Sequence, residues 1–234
     1  MILAPSEMVK ELQRRLPNAN DESRILLWLN EEQEFIESLR DDWRFGLDAD
    51  TEDAENEITT VDGTPDYNLP EDFQRFLAVR NETDGITLKP KSLTLLSDAD
   101  TARSETGSPT HYILLGKIGT DDTTGNPVEM VKLWPEADDA YTIPYDYYKK
   151  LPTLAIDGGD TPSLIPMHSL LMLGAEMRGR IDSEEDEDLQ LLGMLSGRYA
   201  TMLETLIKYN TFEPDKDAGM KPHFSVRLDQ FGGM

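Results

Sequence analysis

One long helix with a wide apolar face constrains this chain more than any other feature. From about residue 21 to residue 44 the apolar residues recur at spacings of three, four and seven, which is the period of an amphipathic helix. A stripe of this width needs several neighbouring elements to cover it, from its own chain or from another one. The inward positions are Ile25, Leu29, Ile36, Leu39 and Trp43, widened by Leu26, Trp28 and Phe35.

Three further segments, 6–16, 162–181 and 184–210, have the same helical period. Thr161 is the predicted N-cap of the second of them, because a proline follows at the first helical position. Within that helix Gly174 and the alanine after it would let another helix approach closely. Together with the first helix these segments predict a helical bundle.

Short strand patterns and turn residues replace the helical period between residues 58 and 152. The strands follow one another without long helices between them, which predicts an antiparallel β-meander. Its last two strands, VEMVKLWP and AYTIPYDYY, are expected to pair through the EADDA turn.

The predicted fold class is therefore α+β, a helical bundle with a small antiparallel β-meander inserted between its helices. We expect one domain over residues 1–212, with a helical body at 1–46 and 160–212 and the β-rich insertion at 58–152. Residues 213–234 have no helical period and are predicted to form an extended C-terminal arm.

The stretch WPEADDAYTIPYDYYKKLP holds four of the eight tyrosines of the chain. Period two gives its return strand one continuous aromatic and aliphatic face. Either this face covers the chain's own core, or its outer part packs against a neighbouring subunit, where aromatic side chains are favoured. The candidate subunit-interface residues are Trp134, Tyr141, Tyr145, Tyr147 and Tyr148.

The sequence contains no motif that indicates catalysis or metal binding. With no cysteine, disulfides, thiolate metal sites and cysteine nucleophiles are excluded. The acidic segment 48–57 lacks the EF-hand spacing, because Asp53 stands where that loop needs a glycine. We therefore expect no catalytic residue, no metal site and no cofactor, and we interpret the segment as a solvated loop.

The net charge is −24, from 46 acidic and 22 basic side chains. A surface of this sign repels phosphate groups, which disfavours a protein that binds nucleic acid tightly. The same repulsion suits a conduit, whose wall should not hold the nucleic acid that passes it. No run of about 18 apolar residues is present, so we expect no membrane segment and synthesis in a cytoplasm.

Six segments in order give the chain a resemblance to a known family. The chain resembles the head-to-tail adaptor proteins of tailed bacteriophages, also called connector or head completion proteins, over roughly residues 5–210. The resemblance rests on the order of the six segments, since no single segment is specific to the family. They are RILLWLNEEQEFIESLRDDWRF, DYNLPEDFQRFLAV, LKPKSLTLLSDAD, GSPTHYILLG, VKLWPEADDAYTIPYDYYKKLPTL and DTPSLIPMHSLLMLGA.

The resemblance implies a structural virion protein without enzymatic activity. Such a protein is a subunit of a twelve-fold ring beneath the portal, in the neck of the virion, and is made in the host cytoplasm. The ring extends the channel used in DNA ejection and offers a platform to the tail. The implied partners are further copies of the chain, the portal protein, a downstream tail or neck protein, and DNA that passes without specific binding.

The resemblance also implies roles for two parts of the chain. The C-terminal arm would reach the portal, with apolar anchors that could add a strand or fill pockets. Acidic residues would line the channel, although an outer solvated loop is an equal alternative for each cluster. The anchors are Phe212, Phe224, Val226, Leu228 and Phe231. The channel candidates are Asp182, Glu184, Glu185, Asp186, Glu187 and Asp188, with the 48–57 segment.

Two alternative functions stay open on the sequence. The nearer one is a minor tail or neck protein of the same particle that does not touch the portal. The other is an acidic hydrolase or carbohydrate-binding domain, which would need two carboxylates facing Trp134 or Tyr145.

Overall fold

The structure of the chain is a computed structural model. It describes residues 3–16, 21–48, 56–100, 104–121, 123–156, 161, 163–182 and 189–211. Within these residues the fold is α+β, as the sequence predicts, with five α-helices and two β-sheets.

The helices begin where side chains can satisfy the free backbone N–H groups of a first turn. The backbone N–H of Ala4 donates to the Glu7 carboxylate over 3.0 Å, and Asp21 accepts from the N–H of Ser23 at 3.0 Å. These contacts fix the starts of the first two helices. The helices are α1 (Pro5–Arg15), α2 (Glu22–Ser38), α3 (Leu93–Ala99), α4 (His168–Asp182) and α5 (Leu189–Thr211).

The long helix is shorter than the sequence predicts. It ends at Ser38 instead of residue 44, and a 3-10 turn follows at Arg44–Gly46. The indole Nε1–H of Trp43 donates to the carbonyl oxygen of Ile36 over 3.0 Å. Trp43 is therefore buried, as predicted, but it reaches the core by folding back onto the end of α2 instead of continuing it.

α4 also begins later than predicted, at His168 instead of residue 162. Pro166 explains the difference, because its ring disfavours helical geometry in the preceding residue and removes a backbone donor. The Ser163 hydroxyl accepts from the N–H of Ile165 at 3.2 Å and donates to the Gln33 side chain at 2.7 Å. The predicted start of the last helix at 184 lies outside the described residues, and α5 is observed from Leu189.

α2 packs closely against α4, at the glycine predicted to allow it. A Cβ at Gly174 would overlap the Glu32 side chain, and a Cβ at Gly179 would lie 2.8 Å from Trp28 Cζ3. Both glycines therefore set the separation of the two helices. The largest fully buried side chains of this helical core are Met8, Leu12, Ile25, Leu29, Ile36, Leu154, Ile165 and Leu170.

Nine short strands lie between α2 and α4 in the described residues. They are β1 (Leu47–Asp48), β2 (Glu57–Thr59), β3 (Asp66–Asn68), β4 (Phe73–Asn81), β5 (Ile86–Thr87), β6 (Lys89–Pro90), β7 (His111–Thr120), β8 (Pro127–Trp134) and β9 (Thr142–Lys149). One sheet has the order β1-β9-β4-β5, with β2 also on β9, and the other has the order β3-β8-β7-β6.

The predicted hairpin through the EADDA turn is wrong. β8 pairs with β7 on one side and with β3 on the other, so no edge of β8 is left for β9. β9 pairs instead with β4 on one side and with β1 and β2 on the other. The strands form two sheets with a shared core, not one meander, and β6 pairs with β7 in parallel.

α2 holds the segment that leaves the first sheet. The Gln33 side chain donates to the carbonyl of Pro152 at 2.8 Å. The Asn30 amide donates to the Leu154 carbonyl at 3.1 Å and accepts from its N–H at 2.7 Å. These bonds attach the strand region directly to the helical core.

Candidate assembly surfaces

The structure places two of the five candidate interface aromatics inside the chain. Tyr145 and Tyr147 are each 3% exposed and lie in the core between the two sheets. The ring of Tyr147 stacks on Phe73 at 5.7 Å, and that of Tyr145 meets Phe76 edge to face at 5.5 Å. Their burial favours the core interpretation and leaves little of either ring for a neighbouring subunit.

Burial also changes the acid–base behaviour of these phenols. Desolvation, with the charges of Asp72 and Asp48 nearby, raises the pKa of Tyr145 to about 12. The pKa of Tyr147 is raised as well, by its burial and by Asp72, whose carboxylate accepts from the phenol at 3.0 Å. Both side chains therefore stay neutral at physiological pH.

The other three candidates lie at different places on the sheets. Tyr148 is on the opposite face of β9, buried under the Arg75 guanidinium, which is 5.4 Å from its ring centroid. Tyr141 is half-buried, and its phenol donates to Asp138 at 2.8 Å. Of the five candidates, Tyr141 and Trp134 keep appreciable exposure in this chain.

Trp134 lies in a small mixed cluster at the end of β8. The Lys91 ammonium is 3.6 Å from the centroid of its ring, and His111 meets it edge to face at 5.4 Å. Burial, with the charge of Lys91, lowers the pKa of His111. The indole nitrogen is buried without a hydrogen-bond partner among the described residues.

The predicted channel and arm residues are mostly outside the described part of the chain. Asp182 is described, and it pairs with Arg24 at 2.6 Å while remaining exposed. The remaining channel candidates, 184–188, and all the arm anchors, from Phe212 to Phe231, lie outside the described residues.

The acidic 48–57 segment is now placed at its two ends. Asp48 lies in β1 and pairs with Lys149 at 3.2 Å, and Glu57 lies in β2 opposite Pro144. Both ends are therefore attached to β9. Residues 49–55 between these two ends lie outside the described residues.

α5 exposes a face that the sequence patterns do not single out. The α5 outer face consists of the positions that point away from α4 in the first half of the helix. Its methionine, Met194, is 73% exposed, and a Cβ at Gly193 or Gly197 would meet open space. The face comprises Gln190, Gly193, Met194, Gly197, Arg198 and Thr201.

α2 exposes a second apolar face on the side away from its buried stripe. Leu27, Phe35 and Leu39 are 54%, 41% and 40% exposed. Glu31 and Glu34 are exposed beside them, and these five residues form the α2 outer face. Phe35 and Leu39, assigned to the inward stripe by periodicity, are exposed, and Leu39 follows the last residue of α2. In the sequence, the signal for the α2 outer face is the width of the apolar stripe of α2, which is larger than one buried face needs.

A buried polar network fixes α5 against α2 and α4. The Glu32 carboxylate is 3% exposed, accepts from Arg178 at 3.1 Å, and also accepts from the phenol of Tyr199. Burial raises the pKa of Glu32 despite these two partners. Burial and the adjacent carboxylate raise the pKa of Tyr199. The network sets which side of α5 faces inward.

A second contact holds the C-terminal end of α5. The buried Asn210 side chain accepts from the N–H of Arg44 at 2.6 Å and donates to the carbonyl of Asp42 at 3.0 Å. These bonds fix the end of α5 beside the connection between α2 and β1. The last described residue, Thr211, therefore lies at the junction of the helices and the sheets.

In the part of the chain that the structure describes, no His, Cys, Asp and Glu side chains form a group of three placed to hold a metal ion. None of the described helices has the length and apolar content needed to cross a membrane.

A protein-family model described as SU10 adaptor protein matches residues 5–221. No curated protein sequence matches the chain.

Proposed function

The chain belongs to the SU10 adaptor protein family, a family of phage head-to-tail adaptors, and on this premise we propose that it is a ring subunit beneath the portal. The ring extends the DNA channel from the portal and offers a platform to the tail. The match over residues 5–221 is the observation that carries the proposal, because it spans both the helical core and the sheets.

The surface of the chain supports self-association. Two helices leave large apolar side chains in solvent on the α2 outer face and the α5 outer face. At a charge of −24 per copy, contacts between copies need apolar or locally charge-matched surfaces. We propose a closed ring of twelve copies in the neck, with Trp134 and Tyr141 as further candidates for subunit contacts.

We assign the proposed portal contact to the C-terminal arm, residues 213–234, which leaves the single adaptor domain of residues 1–212. Asn210, three residues before the arm, is held beside the connection between α2 and β1. The sequence HFSVRLD within it alternates apolar and polar residues, as a strand added to a partner's sheet would. Its proposed anchors are Phe212, Phe224, Val226, Leu228 and Phe231.

The proposed channel wall carries acidic side chains that keep DNA from adhering. Asp182 and the acidic run 184–188 join α4 to α5, and the 48–57 loop is attached to the edge of the first sheet. These two clusters are the candidates for the channel wall. In the proposal one of them faces the channel and the other faces solvent.

Sedimentation velocity of the chain with its cognate portal protein tests the assignment. We expect a complex that contains both proteins, and we expect a 1–212 truncation to keep the fold but lose the complex. A chain that stays monomeric and never binds the portal would refute the function. A chain that binds only tail proteins would favour the minor tail or neck protein instead.

A further inference from the structure

We propose that the α5 outer face of one subunit packs on the α2 outer face of the next subunit. This inference rests on the proposed ring and adds to it the two helices that form the contact between neighbouring copies. The occupant of each face is therefore a second copy of this chain.

The α5 outer face is suited to close helix packing. Gly193 and Gly197 are one turn apart, and a Cβ at either position would meet none of the described residues within 4 Å. Two glycines weaken an isolated helix, because glycine loses more backbone entropy than alanine and packs no side chain. A partner helix that approaches this smooth face would recover contacts that the single chain does not make.

The same face is unusual in its charge. No carboxylate occurs between Gln190 and Thr201, and Arg198 is the one charged residue there, in a chain that has 46 acidic residues. Copies of a strongly acidic protein repel one another over most of their surfaces. The first half of α5 is a surface on which a second acidic copy meets no negative charge.

The α2 outer face has the complementary character. The α2 outer face has large exposed side chains, Leu27, Phe35 and Leu39, whereas the α5 outer face has glycines. Of its two exposed carboxylates, Glu31 lies 3.6 Å from Arg178 of the same chain, and Glu34 is the carboxylate that faces the cation of Arg198 in the proposed contact. Large groups against small ones, and a carboxylate against a guanidinium, match the two faces in shape and in charge.

Within one chain these two faces cannot meet. Tyr199, which contacts Glu32 of α2, lies five residues after Met194, about 140° around the helix at 100° per residue. The α5 outer face therefore points away from its own α2. A contact between two different faces is heterologous, and repetition of such a contact closes a ring when the rotation allows it.

Cysteine cross-linking tests the contact, because the chain has no cysteine of its own. Met194→Cys and Phe35→Cys are made separately, mixed, assembled with the portal protein and oxidised. We expect disulfide-linked dimers from the mixture and none from either variant alone. The double variant should give a ladder of linked subunits. Ile118→Cys, at another exposed apolar residue (67% exposed), is the control and should not link to Phe35→Cys.

The outcomes separate this contact from the ring itself. Rings seen by electron microscopy in which the thiols introduced at positions 194 and 35 stay reactive to maleimide would overturn the contact and leave the proposed function standing. Linkage of Met194→Cys to itself would show a symmetric α5 pair and would also overturn it. Protection of the thiol at position 194 in the dilute monomer, relieved by truncation at 212, would assign the face to the chain's own C-terminal segment. Failure to form any ring, with or without portal, would refute both proposals.

A charge variant gives a second test that does not depend on oxidation. Met194→Glu places a carboxylate opposite Glu31 and Glu34 of the neighbour, so we expect the concentration needed for ring formation to rise about tenfold or more. Ile118→Glu adds the same charge elsewhere and should leave that concentration nearly unchanged. Equal effects of the two substitutions would contradict the assigned contact.

Discussion

The buried carboxylate of Glu32 shows at the residue scale how this fold orients its last helix. It takes one bond from Arg178 of α4 and one from Tyr199 of α5 while lying 3% exposed in α2. A buried charge is tolerated only when it is paired and hydrogen-bonded. Glu32 therefore makes the orientation of α5 dependent on one phenol and one guanidinium.

Removal of the Tyr199 hydroxyl should destabilise the helical core. Tyr199→Phe keeps the ring but leaves Glu32 with Arg178 as its remaining side-chain partner, at an expected cost of about 1–3 kcal/mol. Urea unfolding measures the loss. Tyr112→Phe is the matched control, because its half-buried hydroxyl has no hydrogen-bond partner among the described residues. An equal cost for both variants would show that the Glu32 bond contributes nothing.

The raised pKa of Tyr145, about 12, predicts a specific alkaline dependence of stability. Because the folded state favours the neutral phenol, its contribution is complete below pH 10 and is lost as the pH rises toward 12. Tyr145→Phe removes this ionisation. We expect the variant to lose up to about 2 kcal/mol less stability than the wild type between pH 10 and 12. Parallel stability curves for the two proteins would contradict the burial of this phenol.

At the scale of elements, the helices follow from local sequence better than the sheets do. The apolar period correctly places Ile25, Leu29 and Ile36 in the core, and Gly174 at the close approach of α2 and α4. The ends of the helices were less predictable. Trp43 continues the apolar period of α2 in the sequence, but the helix ends at Ser38 and the chain folds back so that Trp43 contacts Ile36. Period alone also cannot say that Phe35, beside a buried Ile36, faces solvent.

Strand pairing was not accessible from the sequence, for a physical reason. The residues of β8 and β9 have the pattern of a hairpin, but β8 pairs with the preceding strand β7 and with β3, whereas β9 pairs with strands far back in the chain. β9 pairs with Leu47–Asp48 and Glu57–Thr59, which lie far earlier in the chain. Local turn chemistry does not encode such contacts. For the same reason, the sequence alone could not decide whether Tyr145 and Tyr147 lie in the core of the chain or at a subunit interface.

A matched pair of glycine substitutions tests the packing of the helices. Gly174→Ala adds a methyl group that overlaps the Glu32 side chain, so we expect a loss of about 1–3 kcal/mol from overpacking. Gly193→Ala adds the same group in open space within a helix, so we expect a gain of about 0.5–1 kcal/mol. Thermal unfolding of both variants gives the comparison. Stabilisation by both substitutions would show that α2 and α4 are not closely packed at Gly174.

The charge of the whole molecule sets how assembly should respond to salt. Subunits of charge −24 repel each other, and raising the ionic strength from about 0.01 to 0.15 M shortens the screening length from about 30 to 8 Å. We therefore expect ring formation to strengthen with salt in this range, as followed by sedimentation velocity. Weakening over the same range would mean that charge pairs such as Arg198 with Glu34, and not apolar contacts, dominate the interface.

For the whole molecule, the decisive property is a ring of subunits on the portal. Electron microscopy of the purified chain mixed with its cognate portal protein images this ring. We expect a ring of density coaxial with the portal, with the subunits related by rotation and α5 of each subunit against α2 of the next. Portal particles without added density, beside a chain that remains monomeric, would contradict it.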